Sequence, residues 1–207
     1  GQYGVNAICA YNRMAYPSLC EVRARVAEEG GPTSCTYGLT EIVQSDWPDR
    51  FSSEILSRWG IANSLHVISM VYALTGMPKN YKCHQGGGLD WHSSGSVFVG
   101  TGNTDKGVPF SYHADWGAPD RWWIEVYTRA SAYRLCPLES LYRRTSPTGN
   151  WTDVKVSTFD HDVKTGIVEQ VAAMLDPGVG EKLTLSSLPT AAALTKYAEH
   201  VFGYGTN

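Results

Sequence analysis

The segment from Tyr81 to Arg144 limits most strongly how this chain can fold. It consists of successive short runs rich in aromatic and β-branched residues, with turn-forming residues between them. Two of these runs, 96–101 and 108–115, flank Asn103-Thr104-Asp105-Lys106-Gly107, which is a strong signal for a β-hairpin. We therefore predict a series of antiparallel strands in this part of the chain.

Helices are predicted on both sides of this series. Residues 16–29 have apolar side chains at helical spacing, with Pro17 in the first turn and Gly30-Gly31-Pro32 after the last. Residues 53–75 form the strongest predicted helix, because apolar side chains recur every three or four positions up to Gly76. Further strands are predicted at 5–11, 33–43, 121–129, 132–135 and 151–156, and further helices at 166–175 and 189–202.

This order of elements favours an α+β fold, with one antiparallel sheet and helices gathered on one face. No repeat or linker divides the 207 residues, so a single domain, residues 1–207, is predicted. The net charge of −3 argues against nucleic acid or an anionic membrane as a partner. No apolar run reaches the roughly 18 residues of a membrane-spanning helix.

The cysteines and the first residues of the sequence indicate the cellular compartment of the protein. The five cysteines are widely spaced and include no Cys-x-x-Cys pair, so we expect reduced, mostly buried thiols. The first six residues lack the basic start and apolar core of a signal peptide. Together these features predict a cytoplasmic protein.

The predicted helix 53–75 carries the first candidate site. Asn63 and His66 are three positions apart and share a face with Trp59, and polar side chains on an apolar face need a partner or a use. A lone histidine in such a place is more often a core residue with satisfied hydrogen bonds. Asn63 and Trp59 beside it move the balance towards a site, since histidine is the usual proton donor or acceptor for chemistry on a hydroxyl.

Two later segments place histidine and tryptophan side by side. Trp91 and His92 follow Asp90, which either orients His92 or only bonds to the backbone of a turn. Trp116 directly follows the predicted strand 108–115, in which His113 lies, and Arg121 after it either binds an anion or is simply solvated.

Several motifs with a defined chemistry are missing from the sequence. The six histidines show no metal-ligand spacing, so no metal site is predicted. No Gly-x-Ser-x-Gly nucleophile motif is present, and Gly86-Gly87-Gly88 lacks the spacing of a phosphate-binding loop.

Taken in order along the chain, these segments resemble the C-terminal domain of the glucose–fructose oxidoreductase/inositol dehydrogenase family. Asn63-Ser64-Leu65-His66-Val67-Ile68 is similar to the active-site helix of the family. The other matching segments are Ile8–Arg13 with Tyr16-Pro17, Gly76–Lys79, Asp90-Trp91-His92, Trp116–Pro119, Glu125–Thr128, and Lys164-Thr165-Gly166 with Gln170.

The resemblance implies a two-domain, NAD(P)-dependent oxidoreductase of sugars, including nucleotide-sugars, or of polyols. It implies an open, mainly antiparallel sheet whose free face is often used for oligomerisation. The substrate would lie between this sheet and a nicotinamide held by a preceding Rossmann domain. The 207 residues include no such domain, so the chain alone is expected to bind no cofactor, and NAD or NADP is implied only for the full-length family.

The resemblance also assigns residues. His66 matches the proton-relay histidine and Asn63 the polar or acidic position before it, so both are predicted to be catalytic. Arg13 and Lys164 match substrate-side or domain-junction positions. The complete predicted substrate-binding set is Arg13, Trp59, Trp91, His92, Trp116, Arg121 and Lys164.

Three hypotheses follow, because Met14 and Ser69 replace an Arg and an Asp that are common in the family. The first is the substrate domain of a sugar oxidoreductase, inactive in hydride transfer without a Rossmann domain. The second is a free-standing domain for non-redox acid–base chemistry, such as isomerisation or elimination. The third is a non-catalytic scaffold that pairs through an aromatic sheet face.

Overall fold

One eight-stranded sheet organises the chain. The computed structural model describes residues 7–156, 164–176, 178, 179, 183 and 186–205. The strands are β1 (Ser34–Leu39), β2 (Pro78–Gly86), β3 (Val97–Thr104), β4 (Pro109–Asp115), β5 (Trp122–Tyr127), β6 (Ala132–Leu135), β7 (Leu141–Arg144) and β8 (Thr152–Val154).

The sheet is open and mostly antiparallel, as predicted. Its strand order is β2-β3-β4-β1-β5-β6-β7-β8, and only β1 and β4 run parallel. The predicted hairpin joins β3 and β4, with Asn103 opposite Pro109. The fold is therefore α+β, with β1 near the centre of an open mixed sheet.

The helices and turns carry most of the remaining described chain. A 3₁₀ turn at Asn12–Ala15 leads into the first helix, and a π-helical turn occupies Gly60–Ser64. The helices are α1 (Pro17–Glu28), α2 (Trp47–Arg50), α3 (Ser53–Ser57), α4 (Leu65–Thr75), α5 (Ile167–Leu175) and α6 (Leu188–Val201).

The core lies between the sheet and helices α4 and α6. In β1 the side chains of Cys35, Tyr37 and Leu39 point into this core, since side chains alternate along a strand. The hydroxyl of Tyr37 is hydrogen-bonded to those of Tyr72 on α4 and Tyr197 on α6, at 3.2 and 2.7 Å. These bonds satisfy polar groups that would otherwise be costly to bury.

Two predicted elements differ from the structure. The predicted helix 53–75 is divided into α3, the π-helical turn and α4, because Gly60 packs directly beneath the ring of Phe202. A Cβ atom at Gly60 would lie 2.4 Å from that ring. The predicted strand 5–11 begins outside the described residues, and within its described part only Ile8 pairs, through a single bridge to Ser187.

The five cysteines are free thiols, of which Cys35 is buried and the other four are half-buried. None of the helices in the described part of the chain has the length and apolar character needed to cross a membrane.

Candidate active site

A cavity of about 280 Å³ opens beyond the carboxyl end of β1. This volume suits a small ligand. Its polar lining comes from Arg13, Glu41, Asn63, Arg121 and Glu139, and its other lining residues are Thr40, Ile42, Trp47, Trp122 and Leu138.

Glu41 is the most unusual residue of this cavity. It follows β1 directly, and only 4% of its surface is exposed. Its Oε2 atom accepts a hydrogen bond from Asn63 Nδ2 at 2.7 Å. Its Oε1 atom accepts from Ser64 Oγ at 2.7 Å and from Trp122 Nε1 at 3.2 Å. Since all three partners donate, the carboxyl group is held in a form that accepts hydrogen bonds.

Burial raises the pKa of Glu41 to about 7, while the hydrogen bonds from Ser64, Asn63 and Trp122 lower it in part. Near neutral pH, both the protonated and the ionised form of a carboxyl group with such a pKa are present. Such a group can donate and accept protons, as an acid–base residue must. The sequence interpretation missed Glu41. The available signal was an acidic residue inside the otherwise uncharged predicted strand 33–43, but its partners are not adjacent in sequence.

The π-helical turn Gly60–Ser64 supplies two of these partners and is anchored from its other side. The Gly60 N–H donates to the Tyr204 hydroxyl at 2.9 Å, and this hydroxyl lies 2.7 Å from His92 Nε2. His92 Nδ1 lies 2.6 Å from the carbonyl oxygen of Gly95. Because a carbonyl only accepts, Nδ1 carries the proton and Nε2 accepts from Tyr204. This chain of hydrogen bonds fixes the turn that presents Asn63 and Ser64 to Glu41.

Replacing Tyr204 by Phe is expected to destabilise the protein by about 2 kcal/mol, since the Gly60 N–H and His92 Nε2 would lose a partner inside the core. Urea unfolding measures this loss. Tyr142→Phe is the control, because the Tyr142 side chain lies on the sheet face opposite the core. Equal stability of Tyr204→Phe and wild type would show that the anchor contributes nothing.

His66 lies one turn beyond Asn63, near the start of α4. Its ring meets that of Tyr11 edge-on, with centroids 6.0 Å apart, and its Nδ1 atom is buried with no hydrogen-bond partner. Burial, together with the positive charges of Arg13 and Lys164, lowers the pKa of His66 to about 4. His66 is therefore neutral at pH 7, with a free ring nitrogen.

Lys164 reaches this region because its segment is docked on the 3₁₀ turn. Asn12 Nδ2 donates to the carbonyl oxygen of Thr165 at 3.0 Å. Gly166 has a φ of +84°, and a Cβ atom there would lie 2.1 Å from the Asn12 carbonyl oxygen. Only glycine fits this junction without strain.

Arg13 lies between the cavity and His66. Its guanidinium group stacks over the ring of Trp122, 4.7 Å from the centroid. Its Nε atom is buried without a hydrogen-bond partner, and none of the ion pairs among the described residues includes Arg13. Its charge is therefore free to interact with a ligand.

The structure brings some of the predicted substrate-binding residues together and leaves others apart. Arg13 and Arg121 line the cavity with Asn63, and Lys164 does not line it but is close enough to His66 to lower the pKa of that ring. Trp59 lies behind the cavity, buried against Trp47 with ring centroids 4.1 Å apart.

Trp91, His92 and Trp116 do not line this cavity. His92 is fully buried in the Tyr204 anchor, and Trp116 is buried with its Nε1 donating to the Leu39 carbonyl oxygen at 3.1 Å. Trp91 is half-buried and stacks near Trp116. The polar atoms of His92 and Trp116 are used inside the fold, so in this arrangement these two residues act as packing and anchoring residues.

No group of three or more His, Cys, Asp or Glu side chains that could hold a metal is found in the described ranges. Gly86-Gly87-Gly88 ends β2 and leads into a turn rather than a helix. This segment therefore lacks the helix N-terminus that holds a dinucleotide phosphate.

Comparisons with known proteins show the fold. No protein-family model matches the sequence, and a search of curated proteins finds no match. Among solved structures, a putative NADPH-dependent oxidoreductase of Desulfitobacterium hafniense is similar, with a TM-score of 0.75 and 13% identity over 98% of this chain and 63% of that one.

Two further structures are similar. An inositol dehydrogenase homolog of Azotobacter vinelandii, complexed with NAD+, has a TM-score of 0.69 and 10% identity over 95% of this chain and 62% of that one. A levoglucosan dehydrogenase, in complex with NADH and levoglucosan, has a TM-score of 0.67 and 13% identity over 96% of this chain and 63% of that one. The chain thus spans about three-fifths of the length of each of these oxidoreductases.

Proposed function

We propose that residues 1–207 form one domain, the substrate domain of an NAD(P)-dependent oxidoreductase acting on a sugar, including nucleotide-sugars, or on a polyol. One observation carries this proposal. In a fold similar to those of known dehydrogenases, the cavity residues Arg13 and Asn63 lie beside His66 and its unpartnered ring nitrogen. On this basis we also propose that the chain is the C-terminal domain of a member of the glucose–fructose oxidoreductase/inositol dehydrogenase family.

The residues of this chain would bind and orient the substrate and move its proton. The Arg13 guanidinium and the Asn63 side chain lie where they would bind substrate oxygens. The neutral His66 ring offers Nδ1 as a proton acceptor. A bound nicotinamide would accept a hydride, and on this proposal it would be held by a Rossmann domain in the same chain or another.

A second function, non-redox acid–base chemistry, is favoured by one observation. Glu41 combines a cavity position with a pKa near 7, and proton transfer by such a group needs no nicotinamide. Isomerisation or elimination on a cyclic polyol is the corresponding reaction class.

One experiment separates the two functions. The native protein is purified from its source, its mass is measured, and nicotinamide absorbance is followed with a panel of sugars and polyols. The oxidoreductase proposal expects a nucleotide-binding domain of about 120–150 residues, in the same chain or copurified, and nicotinamide reduction by at least one compound. Conversion of a polyol without nicotinamide supports the second function instead.

We also propose that the sheet face opposite the helices pairs with a second copy of the chain. This face presents the half-buried rings of Trp123 and Tyr127 beside the ion pair of Glu125 and Arg134, so charges of both signs are available for a self-complementary contact. The five free thiols support a reducing, cytoplasmic location.

Sedimentation tests the pairing. Wild type is expected to be a dimer or larger, and Trp123→Glu to be a monomer, because a buried charge disrupts an apolar contact. Ile55→Glu on α3, an exposed helix position away from this face, is the control and should keep the wild-type mass. A monomeric wild type contradicts the proposal.

A further inference from the structure

We propose that Glu41 is a catalytic acid–base residue, which exchanges a proton with a hydroxyl group of the ligand bound in the cavity. The proposal rests on the proposed function in one respect, which is that this cavity holds the ligand. It applies equally to hydride transfer and to non-redox chemistry.

The hydrogen bonds of Glu41 leave a place for the ligand. Oε1 accepts two donors, Ser64 Oγ and Trp122 Nε1, and Oε2 accepts Asn63 Nδ2, while the buried indole N–H of Trp59 lies near the carboxyl group without forming a hydrogen bond of good geometry. Each carboxylate oxygen has two lone pairs, so Oε2 retains one free acceptor position. Glu41 also lines the cavity, so a hydroxyl group that enters it is the natural donor to this position.

Comparison with Glu29 shows that Glu41 is not an ordinary structural carboxylate. Glu29 accepts hydrogen bonds from three hydroxyl groups and forms an ion pair with Arg143 at 2.7 Å, and these contacts lower its pKa. Glu41 has no ion pair within the described part of the chain, although Arg13 lines the same cavity. A buried carboxylate without a cationic partner is costly, and such groups are concentrated at functional sites.

The two acid–base candidates differ in the proton they can offer. With the pKa of His66 lowered to about 4, only about one His66 ring in a thousand is protonated at pH 7. The pKa of Glu41, raised to about 7, leaves both forms populated. Glu41 can therefore both donate and accept a proton at neutral pH, whereas neutral His66 can only accept one.

In the proposed step, Oε2 of the Glu41 carboxylate takes the proton of a ligand hydroxyl. The O–H bond breaks, its electron pair stays on the ligand oxygen, and the carboxylate becomes a neutral carboxyl group. One negative charge thus moves from Glu41 to the ligand oxygen, in the cavity that Arg13 lines. The reverse step returns the proton.

The indole N–H of Trp122, which donates to Glu41, provides a direct probe. Its NMR signal is assigned by comparison with Trp122→Phe and followed from about pH 5 to 9 with and without myo-inositol, D-glucose or D-glucuronate. In wild type we expect the chemical shift of this signal to change near neutral pH as Glu41 ionises. At least one probe should bind about ten-fold more tightly at pH 8 than at pH 6, since the ionised carboxylate accepts the hydroxyl.

Glu41→Gln should bind the same probe more weakly and with no pH dependence, because an amide does not titrate. Glu139→Gln is the matched control: it removes a carboxylate from the same cavity but none of the hydrogen bonds to Asn63, Ser64 or Trp122. It should keep the wild-type pH dependence. If Glu41→Gln does not fold, the wild-type titration and binding still decide the outcome.

The proposal is overturned if no probe shifts the Trp122 signal, if wild-type binding is independent of pH, or if Glu41→Gln keeps the pH dependence. Its failure is distinguishable from that of the proposed function. Nicotinamide reduction that is unchanged in Glu41→Gln contradicts only the role of Glu41. Binding that depends on pH and on Glu41, without any nicotinamide reduction, contradicts only the oxidoreductase.

Discussion

Glu41→Gln is expected to change the pH dependence of stability from a slight fall with rising pH in wild type to a rise between about pH 4 and 6.5. The reason is that Glu41 and His66 titrate in opposite senses over the same range. Each has a pKa moved by burial, Glu41 up to about 7 and His66 down to about 4. Removing one of them exposes the contribution of the other.

The contribution of Glu41 decreases as pH rises. Its folded-state pKa lies above the ordinary value of 4.5, so the folded state holds the proton more tightly. The stabilisation is present below about pH 4.5 and is lost as pH rises to about 7, by about 3 kcal/mol in total.

The contribution of His66 increases with pH. The folded-state pKa of His66 lies below its ordinary value of 6.5, so the folded state favours the neutral ring. The stabilisation that His66 contributes is present above about pH 6.5 and is lost as pH falls to about 4. The loss is about 2 kcal/mol once solvent screening of the half-buried ring is allowed for.

Urea unfolding at several pH values between about 4.5 and 7.5 measures these slopes. Glu41→Gln should gain stability with rising pH, His66→Asn should lose it, and Glu139→Gln should follow wild type. Parallel curves for Glu41→Gln and wild type would contradict the buried, titrating carboxyl group.

His66→Asn is the second large change, and it is expected to lower the rate of nicotinamide reduction by the complete enzyme by about 100-fold or more. Asparagine keeps a polar side chain but cannot accept a proton, so the loss should appear in kcat rather than in KM. Initial rates with a polyol substrate and NAD or NADP measure it. His113→Asn, an exposed histidine on β4, is the control. A His66→Asn rate within about twofold of wild type would remove His66 from the chemistry.

The sheet was predictable because its signals are local. The predicted strands 96–101 and 108–115 correspond to β3 and β4, since alternating residues and a five-residue turn define a hairpin without distant contacts. The division of the predicted helix 53–75 was not predictable. The Gly60 turn at this division contacts Phe202 and Tyr204, which lie 142 and 144 residues beyond it in the sequence.

The candidate site was predictable only in part, for the same reason. Asn63 and His66 stand out as polar residues on an apolar helix. Glu41 does not, because its burial depends on donors 22, 23 and 81 residues away. His92 and Trp116 have the composition of a sugar site, but the Tyr204 hydroxyl makes His92 an anchor inside the fold.

Deuterium transfer tests the central claim most directly. A polyol that shifts the Trp122 signal is prepared with deuterium on its ring carbons and incubated with the native protein and nicotinamide. If this chain is the substrate domain of an oxidoreductase, one deuterium per turnover will appear on the nicotinamide ring. Conversion of the polyol with no deuterium on nicotinamide would contradict the account and leave non-redox proton transfer at Glu41 as the function.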